Sequence, residues 1–152
     1  MKTLARPRDK AELLLRLREV RPESQARWGR MSAHQMICHL CDAFRMATGH
    51  KSVSSSTSVM QQTIVKWLAL YVPLRWPAGI PTIPEIDQEL GGTGPLDFAE
   101  DVVQLEALLE SFATRTHTAD WRAHPILGRM SEAAWLRWAY LHVDHHLRQF
   151  GA

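Results

Sequence analysis

Apolar residues recur along this chain at three- and four-residue intervals, and over no useful length do they alternate at every second position. The pattern predicts helices only. Leu13, Leu14, Leu17 and Val20 share one helical face behind Asp9 and Glu12, which stand at capping-box spacing, so a first helix is expected to end near Val20, before Pro22. Ser32 and Gln35 form a second capping-box pair flanked by the staple residues Met31 and Met36, predicting a helix from Ala33 to about Ala47 closed by Gly49. Met60, Ile64, Trp67, Leu68 and Tyr71 then repeat at helical spacing as far as Pro73, a shorter and partly exposed helix. Asp97 with Glu100 caps a fourth, whose stripe is Phe98, Val102, Leu105, Leu109 and Phe112 and which frays after Thr114. Ser131 begins the last, with Met130 and Trp135 as its staple, running to about Phe150.

Between these helices lie a Ser-rich connector from His50 to Ser58 and a long segment from Pro73 to Pro95. The second carries Pro73, Pro77, Pro81, Pro84 and Pro95, with room for one turn at most between Glu85 and Leu90. Such a loop in a compact domain wraps a surface or lines a site. Gly-Arg-Met-Ser occurs at 29–32 and again at 128–131, and since the helices that follow share nothing further, this reads as common N-cap chemistry rather than an internal repeat. The class expected is all-α, most simply a bundle with one long crossover.

At 152 residues the chain fits one domain, and 45% apolar with 22% charged residues is ordinary for a globular protein. A net charge of +2 is far from the basic excess that phosphate neutralisation needs, so nucleic acid is not an expected partner. The longest apolar stretch, Thr63 to Leu74, is interrupted by Lys66 and Pro73 and is too short to cross a membrane. Asp9, Glu12 and Glu19 break the N-terminal apolar run, which speaks against a signal or transit peptide, and Cys38 and Cys41 are read as reduced thiols of a cytoplasmic protein. Gly91-Gly92-Thr93-Gly94 leads to a proline rather than a helix and is not a phosphate loop.

Eight histidines are the unusual feature of the composition. On a helical wheel His142 and His146 join Trp135, Ala139, Val143 and Phe150 on one side of the last helix, with Arg137, Asp144 and Arg148 opposite. Four residues apart, the two imidazoles can converge on one metal ion, whereas a single inward histidine is more simply a buried neutral ring bonded to a carbonyl. A third ligand is needed. On the second helix His39 sits at the edge of the apolar face beside Ala43 and Met46, with Asp42 as a partner or alternative on the polar side and His34 turned toward solvent.

His39-Leu40 on the second long helix, followed by a final helix with His142, His146, Gln149 and Phe150, resembles the DinB/YfiT-like metalloenzyme superfamily. His-Pro-x-x-Gly at His124 to Gly128, Trp135, and the run His142-Val-Asp-His-His-Leu-Arg-Gln-Phe-Gly are similar to a branch of it without an assigned function. The resemblance implies a four-helix bundle in up-down-down-up order with a long crossover loop and an extra short helix. It also implies a divalent ion, commonly zinc or nickel, on a three-histidine site that maps to His39, His142 and His146. Superfamily members of known activity include metal-dependent thiol S-transferases and a thiol-dependent isomerase, and many dimerise. Two departures are Leu147-Arg148, where many relatives have Arg-Gly, and the long proline-bearing loop.

Of the other histidines, His145 flanks the metal-facing side and is either a neighbour of the ligands, a proton carrier, or a solvent-facing or interface residue. His124 either closes over the site or fixes its own loop with a hydrogen bond. These two are the candidates for a catalytic group; His50 and His117 are placed in polar connectors. Cys38-His-Leu-Cys41 has the spacing of a redox or zinc motif, but both thiols fall on the helix side opposite His39, mid-helix and with no second CxxC. Trp135 and Trp138 read as core.

Two functions follow from this reading. In one, the ion is a Lewis acid with open positions that lowers the pKa of a bound water or fixes a substrate thiolate, and a small molecule enters between helix ends under the Pro73 to Pro95 loop. In the other, metal or paired histidines stabilise a non-catalytic helical module that forms a homodimer.

Overall fold

The computed structural model describes residues 1–55, 57–115 and 121–152, and its regular structure is helical, with no strand among the described residues. Five helices follow in order: α1 (Pro7–Leu17), α2 (Ala33–Ala47), α3 (Lys66–Tyr71), α4 (Phe98–Thr114) and α5 (Glu132–Gln149). α1 packs on α5, α2 on α4, and α5 also meets α2 and α3.

The caps explain the starts. Ser32 Oγ accepts from the Gln35 amide at 3.1 Å while Gln35 Oε1 accepts from the Ser32 amide at 2.8 Å, which is the reciprocal box the sequence predicts. Asp97 and Ser131 cap α4 and α5 through the amides of Glu100 and Ala134. The first helix differs from expectation. Pro7 opens it one turn early, in the first-turn position where a missing N–H costs nothing, and Asp9 instead lies buried in that turn, accepting from the Thr3 amide at 3.0 Å.

α5 is the second departure. Its wheel predicts one wet side, yet Arg137 and Tyr140 are buried as well as Trp135, Ala139 and Val143. The helix runs through the interior, and Arg137 and Asp144 on it are paired. Arg137 donates through Nε to the Leu70 carbonyl at 3.0 Å and through Nη1 to that of Lys2, tying α3 and the N-terminal segment to it. Asp144 accepts from Arg16 of α1 at 2.7 Å and from Arg148 at 2.9 Å.

The third helical stretch is 59–71, entered through a π turn at Gln61–Val65. Thr63 Oγ1 donates to the Val59 carbonyl at 2.7 Å, a side-chain bond that competes with the backbone ladder where the turn widens. Its apolar stripe is not the buried side. Leu70 is fully buried, but Met60, Ile64, Trp67, Leu68 and Tyr71 are all exposed, Ile64 by 59% and Trp67 by 58%.

Residues 73–95 fold back against α2 and α5, with one 3-10 turn at Pro84–Ile86. Asp42 of α2 anchors the far end of this segment. Fully buried, its carboxylate accepts from the Thr93 amide at 2.7 Å, Thr93 Oγ1 at 2.8 Å and Lys51 Nζ at 2.9 Å. Burial alone would raise its pKa, but the bonds from Thr93 and Lys51 outweigh that and hold it below the ordinary carboxylate value. Asp42 is thus the loop's anchor, which settles one of the alternatives for the second helix. Asp42→Ala strands the Thr93 amide and the Lys51 ammonium, and a loss of about 3 kcal/mol is expected in urea unfolding. A change below about 0.5 kcal/mol would show that the carboxylate does not hold the loop.

Candidate metal centre

His39, His142 and His146 come together between α2 and α5, their ligand nitrogens all within 4.8 Å of one another. Two of the rings are oriented from behind. His39 Nδ1–H donates to the Ile86 carbonyl at 2.8 Å, and His146 Nδ1–H donates to Gln149 Oε1 at 2.8 Å, which leaves each Nε2 facing the centre. Gln149 is itself fixed by donating to the Trp28 carbonyl at 2.7 Å. His142 Nε2 lies 3.2 Å from His39 Nε2, and His142 Nδ1 is buried without a partner.

These residues fit a metal. Two imidazole nitrogens bound tetrahedrally to one zinc-like ion at about 2.0–2.1 Å stand about 3.3 Å apart, close to the spacing that His39 and His142 already have. The three rings are also neutral, as ligands must be. Burial lowers the pKa of His39, partly offset by the Ile86 carbonyl. It lowers those of His142 and His146 well below the ordinary value, with the neighbouring histidines adding repulsion.

The centre forms part of the wall of a cavity of about 460 Å³ roofed by the loop after α3. Trp76 reaches in from that loop, its Nε1–H donating to the Ala69 carbonyl at 2.8 Å and its ring 6.1 Å from that of His142. Trp138 stands 4.8 Å from His142 on the other flank, so one of the two tryptophans read as core lines the site while Trp135 is buried beneath it. Behind His145 and His146 lies a second, polar pocket of about 320 Å³ lined by Arg30, Gln35, Asp87 and Gln149 among others.

His145 is buried rather than solvent-facing. It borders both pockets, its ring packs on Trp28 and Trp76, and its Nδ1 has no partner. His124 lines the cavity, but its Nδ1 accepts from the amides of Ile126 and Leu127, each at 3.1 Å. The His-Pro-x-x-Gly turn is closed by reciprocal backbone bonds of 2.9 Å between His124 and Gly128, with Gly128 at φ +68°, where a side chain is strained. His124 fixes its own loop, and burial lowers its pKa to about 4.

His34 is not turned to solvent. Its Nε2 meets Asp101 of α4 at 2.7 Å, and Cys38 Sγ reaches the same carboxylate oxygen at 3.5 Å, forming a second group able to hold a metal. Spacing could not reveal it, because Asp101 comes from another helix. Burial pushes both Cys38 and Cys41 up to about 12, so the CxxC carries protonated thiols rather than a redox pair. His50 is exposed, its Nδ1 2.9 Å from Thr48 Oγ1, and His117 lies outside the described residues. No helix among the described residues is long and apolar enough to cross a membrane.

A helical protein with a candidate three-histidine metal centre is the class these features define. The family model described as "Protein of unknown function (DUF1569)" matches residues 7–152, and the chain belongs to that family. No curated protein and no solved structure matches it.

A histidine whose pKa is lower in the folded than in the unfolded chain binds its proton more readily when unfolded. Its share of stability is therefore complete above pH 6.5 and is lost as pH falls. Metal-free protein should show a constant urea midpoint above that value and a falling one below it, the share of His124 being lost by about pH 4. His146→Gln should flatten the slope. A midpoint independent of pH down to about 4 would contradict the buried neutral triad.

Proposed function

We propose that this chain is a metal-dependent enzyme related to the DinB/YfiT-like superfamily, its His39, His142 and His146 holding a divalent zinc or nickel ion. In this reading α1, α2, α4 and α5 are the four helices of an up-down-down-up bundle, residues 73–95 are the crossover and α3 is the extra short helix. The observation that carries it is the convergence of three neutral imidazole nitrogens in the wall of a cavity, two of them aimed by hydrogen bonds from behind. A closed structural site would need a fourth protein ligand, and the described residues supply three there.

Bound at that site, the ion supplies Lewis acidity to a sulfur or oxygen donor of a small-molecule substrate, the chemistry of a thiol S-transferase or a hydrolase. The protein contributes the setting. The Ile86 carbonyl and Gln149 hold the ligand rings in one tautomer, and Trp76 and Trp138 screen the site from water. His145, with a free Nδ1 between the two pockets, is the group placed to carry a proton, while His124 positions the wall. A cytoplasmic setting suits two cysteines that are both unpaired.

Metal analysis after reconstitution should give one ion per chain in the wild type and none at this site in His39→Ala or His142→Ala. Gln149→Leu should keep the ion with about 10- to 100-fold weaker affinity. Wild type that takes up no metal would sink the assignment, and a thiol-transfer screen with the loaded protein then tests the reaction class.

The exposed row of Met60, Ile64 and Trp67 favours a second reading, a homodimeric helical module in which the metal is structural. Ile64→Glu with Trp67→Glu should then convert a dimer to monomer in sedimentation, and metal removal should lower only the melting temperature. A wild type that sediments as a monomer removes this reading.

A further inference from the structure

The wall of the 460 Å³ cavity is chemically one-sided. Apart from the histidines and the two indoles, Arg75 and Thr82 are the polar side chains in its lining. The rest is hydrocarbon, from Val65, Ala69 and Val72 on the α3 side, Ile83 on the loop and Leu127 below His124. One indole is already satisfied, since Trp76 donates to the Ala69 carbonyl. The groups able to ligate a metal lie together at one place in the wall. There the imidazoles of His39, His142 and His146 converge, and His145 and His146 separate this cavity from the polar pocket behind them.

We infer that the cavity takes a small molecule with a predominantly hydrocarbon body and a single metal-ligating head, the head at the imidazole end and the body running under Trp76 toward α3. The size is that of sites for drug-sized ligands, ~300–1,000 Å³. A hydroxyl- or amide-rich body finds almost no partner along this wall and would give up its hydration for nothing. An alkyl or aryl body loses only water that it held poorly, and each methylene buried there strengthens binding by about fourfold. This inference names the substrate class for the metal centre and rests on that reading for the head, whereas the body is read from the cavity alone.

The test is a series of straight-chain hydroxamic acids, from acetohydroxamate to octanohydroxamate, titrated into zinc-loaded protein by calorimetry. Affinity should climb by about fourfold per added methylene until the chain fills the cavity. Ala69→Phe, which puts a ring into the cavity away from the ligands, should keep the metal content and lose that increment. Equal affinity for the short and long acids in metal-loaded wild type would overturn the inference. On metal-free protein the same increment is expected from a weaker baseline. A protein that takes up no metal yet still prefers the long chain would therefore defeat the metal reading and leave the hydrocarbon cavity standing.

Discussion

Three imidazoles can occupy one small buried volume only while all three are uncharged, and that constraint organises much of what surrounds them. In water an imidazole still carries its proton part of the time near neutral pH; burial removes that charged fraction. α5 therefore passes through the interior, and α2 lies against it with His39 only 3% exposed. A ring held in one tautomer also needs an acceptor behind it. The Ile86 carbonyl and the Gln149 amide meet that need from outside the ligand helices' own backbone, so residues 73–95 and the segment that holds Trp28 both help define the centre.

The same burial decides the cysteines. Cys38 neighbours His39 in sequence, but the helical step turns it toward α4, where an apolar setting and the Asp101 carboxylate keep its thiol protonated. One helix thus presents His39 to α5 on one side and protonated thiols beside α4 on the other.

Much of this was legible in the chain. Ser32 with Gln35 and the i,i+4 pair His142 and His146 are local patterns; the first makes the reciprocal cap and the second brings its ring nitrogens close to that of His39. What was not legible depends on partners from distant elements. Arg137 and Asp144 read as a wet face, because nothing in α5 announces that Lys2, Leu70 and Arg16 will cover it. His34 read as surface because Asp101 lies on another helix. The stripe of Met60, Ile64, Trp67, Leu68 and Tyr71 was expected on a partly exposed helix and is exposed. Its period was right, but a period cannot say which side meets a neighbour, and here the single Leu70 goes inward while the stripe stays outside. Asp9 misled for a local reason: it has a cap's chemistry, but Pro7 occupies the first helical turn before it.

The loop after α3 roofs the cavity with Trp76, and at Ile86 the same stretch supplies the carbonyl that aims His39. In the proposed reading, selectivity and ion retention are therefore drawn from one strip of chain. A lineage that altered residues 73–95 to admit a different guest would shift the ligand field at the same time, so divergence of this loop is bound to move in correlated steps rather than by independent drift.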